Sequence, residues 1–295
     1  MKSRLVLGAA TFGRLTQIEV NRLLGTAMDL GIHLIDTANG YEGSEERIGC
    51  FLGKSNHFVV NTKVGLPDTS KFTPAGIKLS VEESLKRLGV ERIGTLFVHS
   101  LDASHLTEEN IGAMVSLKEQ GKVEKIGYAG DGVNLGYAIQ TMEFDDFAMT
   151  FNIIDQANAK EIRQIASGGG VYFKLALGQA IWTSQNLDSR VKSNKFIRFL
   201  FSKPPVPASW VDYRVRFKEL KSEIDAKNYA NTFLGFALFS GQGNQYVILG
   251  TSSIRHIHQA VRFESDALIR ETFDARRYED LWVRKAPSSW DAHVG

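Results

Sequence analysis

A single (β/α)8 barrel is the fold class this sequence predicts, and three observations carry it. Eight short apolar runs read as strands, amphipathic segments follow most of them, and the 295 residues suit one α/β barrel as well as two smaller domains. In chain order, Leu5–Ala10 is the first strand. Thr16 and Glu19 then have capping-box spacing, in which hydroxyl and carboxylate each satisfy an orphan amide. Val20, Leu23, Leu24 and Ala27 follow at helical spacing, and Gly31 ends that helix by taking positive φ. His33–Asp36 and His57–Lys63 are the next strands, and Ala75–Leu88 is a helix striped by Ile77, Val81, Leu85 and Leu88. Strand Thr95–His99, helix Glu108–Lys118 and strand Lys122–Tyr128 come after it. Phe147–Phe151, Gly170–Lys174 and Gln245–Leu249 complete the eight.

Continuous apolar strands between amphipathic helices imply a parallel sheet covered by helices. An open doubly wound sheet is the alternative. It normally carries a Gly-rich phosphate turn after its first strand, and Gly8–Gly13 lacks the G-x-G-x-x-G spacing. Residues 181–213 break the rhythm with the proline-rich Lys203–Ala208, Trp182 and Trp210, and read as a long loop excursion over one face. Residues 270–295 read as a C-terminal tail packed back on the body, so residues 1–295 form one domain. Gly168–Gly170 precedes a strand and reads as a turn.

Composition narrows the function classes. Hydrophobic residues make up 43% and charged residues 23%, as in ordinary globular chains. No apolar run approaches the ~18 residues of a membrane span. Lys plus Arg number 35 against 33 Asp plus Glu, a net +2 that gives no general pull towards nucleic acid. The lone Cys50 excludes an internal disulfide and a cysteine zinc site. It falls in a helix beside Ile48 and Phe51 and reads as a buried small hydrophobe. His256 and His258 are two apart and do not share a helix face, so no metal site is expected there. The N-terminus reads as a strand and not a secretion signal, which makes the cytoplasm the expected compartment.

In a parallel barrel the loops at the strand C-termini build the active site. Asp36, Lys63 and His99 end the second, third and fourth strands, and Tyr41 lies in the loop after Asp36. Each has a structural alternative: Asp36 as a turn cap towards Ser44, Lys63 as its ion-pair partner, Tyr41 and His99 as ordinary polar neighbours. Together they form one rim. An inward lysine needs a partner, which Asp36 supplies. The Lys63 charge is expected to favour the Tyr41 phenolate and lower its pKa, fitting the tyrosine for proton donation near neutral pH.

Asp36-Thr-Ala-Asn-Gly-Tyr41-Glu-Gly-Ser-Glu-Glu-Arg-Ile-Gly49 resembles the signature of the aldo-keto reductases. Asn61-Thr-Lys63, Leu96-Phe-Val-His99-Ser-Leu-Asp102, Leu7–Gly13 and Gly121–Gly127 are similar to further family segments. The match is specific over about the first 155 residues and reaches the C-terminal part only through Ile248–Ser253. The resemblance implies a (β/α)8 barrel that reduces a small aldehyde or ketone with NADPH. It places the catalytic tetrad on Asp36, Tyr41, Lys63 and His99. Tyr41 would protonate the alkoxide, Lys63 tune Tyr41, Asp36 hold Lys63 and His99 orient the carbonyl.

The cofactor positions depart from that family. Its Ser-Asn pair after the fifth strand falls on Ala129 and Gly130, its sixth-strand glutamine on Ala148, and its nicotinamide-stacking aromatic on Lys174. Its adenosine-gripping residues fall on His256, Gln259 and Ala260. Asp131 is expected to replace part of the carboxamide grip. Thr251, Ser252, Ser253 and Arg255, at a helix start, are expected to hold phosphate and favour NADP(H); the alternative is that the serines only cap the helix. Three lost hydrogen bonds imply weak NADPH binding, which Ala129→Ser, Gly130→Asn and Ala148→Gln together should restore. Two rival functions follow from the altered cradle: a catalytically weak regulatory or binding protein on the same barrel, and a non-redox lyase or isomerase using Tyr41 and Lys63.

Overall fold

All eight expected strands form. The computed structural model describes residues 2–53, 57–165, 169–180, 216–224, 228–240 and 244–285. Strands β1 (Leu5–Gly8), β2 (Leu34–Asp36), β3 (Val59–Val64), β4 (Ile93–His99), β5 (Val123–Ala129), β6 (Asp146–Thr150), β7 (Gly170–Lys174) and β8 (Gln245–Gly250) close in chain order into one barrel. Every pairing is parallel, and β8 returns to β1 with Leu5 opposite Val247. The ends of the strands differ from expectation by a few residues. β1 stops at Gly8, for example, because the chain then turns into a short 3-10 segment at Phe12–Arg14.

Side-chain alternation divides the strands into two apolar populations. Val6, Leu34, Phe97, Ala129, Ala148 and Tyr172 meet inside the barrel, with Tyr246 and Ile248 packed against them. Leu5, Leu7, Ile35, Val60, Leu96, Val98, Ile126 and Phe173 face outward into the larger core beneath the helices. Burying both faces is what makes each strand apolar nearly throughout.

The helices follow their caps. α1 (Gln17–Asp29) begins at a reciprocal capping box: Glu19 Oε2 accepts from Thr16 N at 2.7 Å, and Thr16 Oγ1 accepts from Glu19 N at 3.3 Å. Gly31 follows it with φ 77°. α2 is Ser44–Leu52, α3 Pro74–Leu88, α4 Glu108–Glu119, α5 Gly132–Gln140 and α6 Ala159–Gln164. Thr73 caps α3 ahead of Pro74 at its first position, where the missing amide costs nothing. α7 (Tyr229–Phe239) buries Thr232–Leu238 without a break. α8 (Ile254–Ser265), α9 (Ala267–Thr272) and α10 (Arg276–Lys285) end the described chain. Tyr278 is buried there, and its carbonyl accepts from Gln156 Nε2 at 3.0 Å. The expected excursion at 181–213 and the last ten residues of the tail lie outside the described residues.

Two features differ from expectation. Cys50 is exposed. Ile48 and Leu52, four apart, take the buried face of α2, and Cys50 between them is turned about 200° away. The barrel interior is also not uniformly apolar. Asp146, wholly buried at the start of β6, accepts from Thr95 Oγ1 at 2.7 Å, Gly170 N at 2.8 Å and Lys125 Nζ at 3.1 Å. This network lies at the N-terminal end of the strands, where barrels place stability and not catalysis.

Candidate active site

The C-terminal mouth collects the four tetrad residues named from the sequence. Asp36 and Lys63 are 5% and 2% exposed. The Lys63 ammonium donates to both Asp36 carboxylate oxygens, at 2.7 and 2.6 Å, and to the Thr37 carbonyl at 2.7 Å. All three of its N–H groups are thereby used, as a buried ammonium requires. Asp36 therefore does not cap towards Ser44. That contact belongs to Thr37, whose Oγ1 lies 2.8 Å from Ser44 Oγ, while Ser44 Oγ donates to the Ala9 carbonyl at 2.9 Å. These bonds, with Ser44 N to the Tyr41 carbonyl at 2.9 Å, fix the loop that carries Tyr41.

Tyr41 meets His99 edge-on, with ring centroids 5.6 Å apart, and the Lys63 ammonium is 5.4 Å from the Tyr41 ring centre. Burial, then the Asp36 charge, pushes the Tyr41 pKa well above its ordinary value. The expected lowering is thus overturned. Lys63 is held by Asp36, so its field at the phenol is largely cancelled, and desolvation of a phenolate dominates. Burial, followed by the charges of Lys63 and Lys174, pushes His99 down to about 3. His99 is neutral at physiological pH, and its buried Nδ1 has no hydrogen-bond partner among the described residues.

Asp131 and Lys174 come together on the far side of the mouth, with Lys174 Nζ 3.4 Å from Asp131 Oδ2. Asp131 does not stand free for a carboxamide. Its Oδ1 accepts from Thr150 N at 2.6 Å and Asn158 Nδ2 at 2.9 Å, and its Oδ2 accepts from Thr150 Oγ1 at 3.1 Å. With Lys174 these contacts fill the roughly four acceptor sites of a carboxylate. Asn158, which sequence reasoning missed, completes the clamp: Oδ1 accepts from Gly132 N at 2.9 Å, and Nδ2 also donates to the Thr150 carbonyl at 3.0 Å. Nothing marks Asn158 in the sequence, since it lies in the irregular stretch after β6.

Ala129 and Ala148 are adjacent in register and buried beneath the mouth, and neither brings a polar side chain. A side chain at Gly130 meets an obstacle. A Cβ there would lie 2.4 Å from Tyr128 Cε1 and 2.6 Å from its hydroxyl. Tyr128 is buried, and its hydroxyl donates to the Leu101 carbonyl at 2.7 Å. Gly130→Asn therefore does not simply restore a family grip.

Thr251, Ser252, Ser253 and Arg255 gather at the β8–α8 junction, beside β7 and apart from the tetrad. Ser253 occupies the N-cap of α8, yet its side chain makes no cap bond. Thr251 Oγ1 accepts from Ser253 N at 3.1 Å and lies 3.1 Å from His256 Nδ1. The His256 amide donates to the Ser253 carbonyl at 3.0 Å, which leaves the Ile254 and Arg255 amides of this 12-residue helix for an anion, with the Ser252 and Arg255 side chains exposed beside them. Among the described residues no group of three or more His, Cys, Asp or Glu could hold a metal ion, and no helix is long and apolar enough to cross a membrane.

A parallel eight-stranded barrel with its ionisable residues gathered at the C-terminal mouth defines a barrel enzyme. The profile of the aldo/keto reductase family matches residues 4–275. The chain is 26% identical over 272 residues to aldo-keto reductase str7 of Strobilurus tenacellus, covering 87% of this chain and 79% of that one. A crystal structure of an aldo-keto reductase from Pseudomonas aeruginosa superposes with TM-score 0.65 at 28% identity, over 90% of this chain and 91% of the other. An aldo-keto reductase of Klebsiella pneumoniae in complex with NADPH shares the fold with TM-score 0.68 at 17% identity, over 96% and 91% of the two chains. This chain belongs to the aldo/keto reductase family and is an oxidoreductase acting on carbonyl compounds.

Proposed function

We propose that the protein reduces a small aldehyde or ketone with NADPH, using Tyr41 as proton donor. The observation that carries this reading is the contact of Tyr41 with a neutral His99 beside the closed Lys63–Asp36 pair. The residues present fit the cofactor at the start of α8, where Ser253 makes no side-chain cap bond and Thr251, Ser252, Ser253 and Arg255 suit phosphate. A reduced nicotinamide bound in the mouth would supply the hydride.

The protein side chains handle the proton. Tyr41 stays protonated across the physiological range because burial and Asp36 hold its pKa high, so the acid form is ready for donation to a carbonyl oxygen. His99, neutral, orients that oxygen through a ring N–H without competing as an acid. As the proton leaves Tyr41, the Asp36-paired Lys63 ammonium 5.4 Å from its ring offsets only part of the cost of the phenolate that forms. Asp36 keeps the ammonium in place.

NADPH oxidation followed with 4-nitrobenzaldehyde tests the reading. Tyr41→Phe should lower kcat by at least about 100-fold, the scale of a lost general acid, and leave the NADPH dissociation constant unchanged. Full turnover in the variant would remove Tyr41 from the acid role.

A further inference from the structure

The barrel geometry assigns a role to Lys174 that rests on the reading just proposed. Tyr41 follows β2, Lys63 is on β3 and His99 ends β4, so the acid side of the mouth centres on β3. In a closed ring of eight strands, β7 stands across from β3. Lys174 ends β7 and shares the parity of Tyr172, an interior residue, while Phe173 between them faces the outer core. Its ammonium therefore belongs to the wall opposite Tyr41 and His99. A carbonyl held by Tyr41 and His99 would take its hydride from the open side of the mouth, and a donor ring bound there would lie towards Lys174.

Two further observations bear on the charge there. Among the described residues the ammonium has one acceptor, Asp131 Oδ2, at a long 3.4 Å. Asp131 is meanwhile drawn by three shorter contacts to Thr150 and Asn158, so the cation is compensated only in part. Its field also reaches across the mouth to His99, which it helps to keep neutral. Lys63, the second mouth cation among the described residues, is closed off by both oxygens of Asp36.

We propose that Lys174 makes the site discriminate between the redox states of its cofactor, favouring the uncharged reduced ring over the cationic oxidised one. The oxidised nicotinamide carries a positive charge and the reduced ring carries none, so a lysine on the ring's far face repels one form only. The site is thereby biased towards taking up NADPH and releasing NADP+.

Dissociation constants for NADPH and NADP+, measured by fluorescence and calorimetric titration without substrate, test this directly. The wild type should bind NADPH at least tenfold more tightly than NADP+. Lys174→Met should shrink that ratio at least fivefold, Lys174→Arg should preserve it, and Asp131→Asn should widen it. Circular dichroism confirms that each variant is folded. If both forms bind and the ratio is unchanged in Lys174→Met, the inference is overturned and the reductase reading stands. If neither form binds the wild type, both fall together.

Discussion

Replacing His99 by asparagine tests the electrostatics of the mouth through folding alone. His99 titrates at about 3 in the folded protein, because of burial and then Lys63 and Lys174; its unfolded value is near 6.5. As pH falls through 6.5 the unfolded chain takes up a proton that the folded chain refuses until about 3. Stability from the neutral ring is thus fully present above 6.5 and is lost as pH falls towards 3, at up to ~1.4 kcal/mol per pH unit. Between pH 7 and 5 the single-site linkage amounts to ~2 kcal/mol, and partial solvent access lowers it to ~1–2 kcal/mol. Asparagine is neutral throughout, so the variant lacks this component. His33, whose pKa is also lowered by burial, contributes equally to both proteins and cancels in the comparison. Urea denaturation at pH 7 and pH 5 gives the four free energies needed. The wild type should lose ~1–2 kcal/mol more than His99→Asn between the two. Equal losses would refute the claim that the mouth refuses a charge on His99.

Lys63→Met leaves the buried Asp36 without its partner and should cost ~3–5 kcal/mol of stability in urea denaturation, along with activity. Adding Asp36→Leu should recover most of the stability and none of the turnover; a single variant as stable as wild type would contradict the closed pair. Arg255→Ala should weaken NADPH at least about fivefold and leave NADH unchanged, since only the former brings a 2′-phosphate to α8; equal changes in the two dissociation constants would move the phosphate elsewhere. Gly130→Asn should destabilise by ~1–3 kcal/mol through overpacking on Tyr128 and leave NADPH affinity no better. Ala129→Ser with Ala148→Gln should tighten NADPH about fivefold or more, and thermal denaturation with fluorescence titration separates the two cases.

The strand order, the barrel and the gathering of Asp36, Tyr41, Lys63 and His99 at its mouth were legible in the sequence. Each of these is written in local pattern. Apolar runs of strand length mark β1 to β8, the Thr16–Glu19 spacing marks the start of α1, and a reactive residue at the end of a parallel strand falls at the mouth without further information. α7 escaped because Thr232–Leu238 is buried all round, and a helix without a polar face has no amphipathic period to detect. Charge states and free hydrogen-bonding valences became visible once the chain was folded. The Tyr41 pKa depends on the balance between burial, Asp36 and a lysine whose three donors are already engaged. That balance is set by three-dimensional distance and desolvation. Asp131 looked available because Thr150 and Asn158, which occupy it, are 19 and 27 residues away in sequence. Gly130 looked like a missing asparagine because the Tyr128 ring that fills its space is visible only once β5 and the Leu101 carbonyl are brought together. Local periodicity records which face a residue takes; occupancy of that face is a property of every other segment that folds against it.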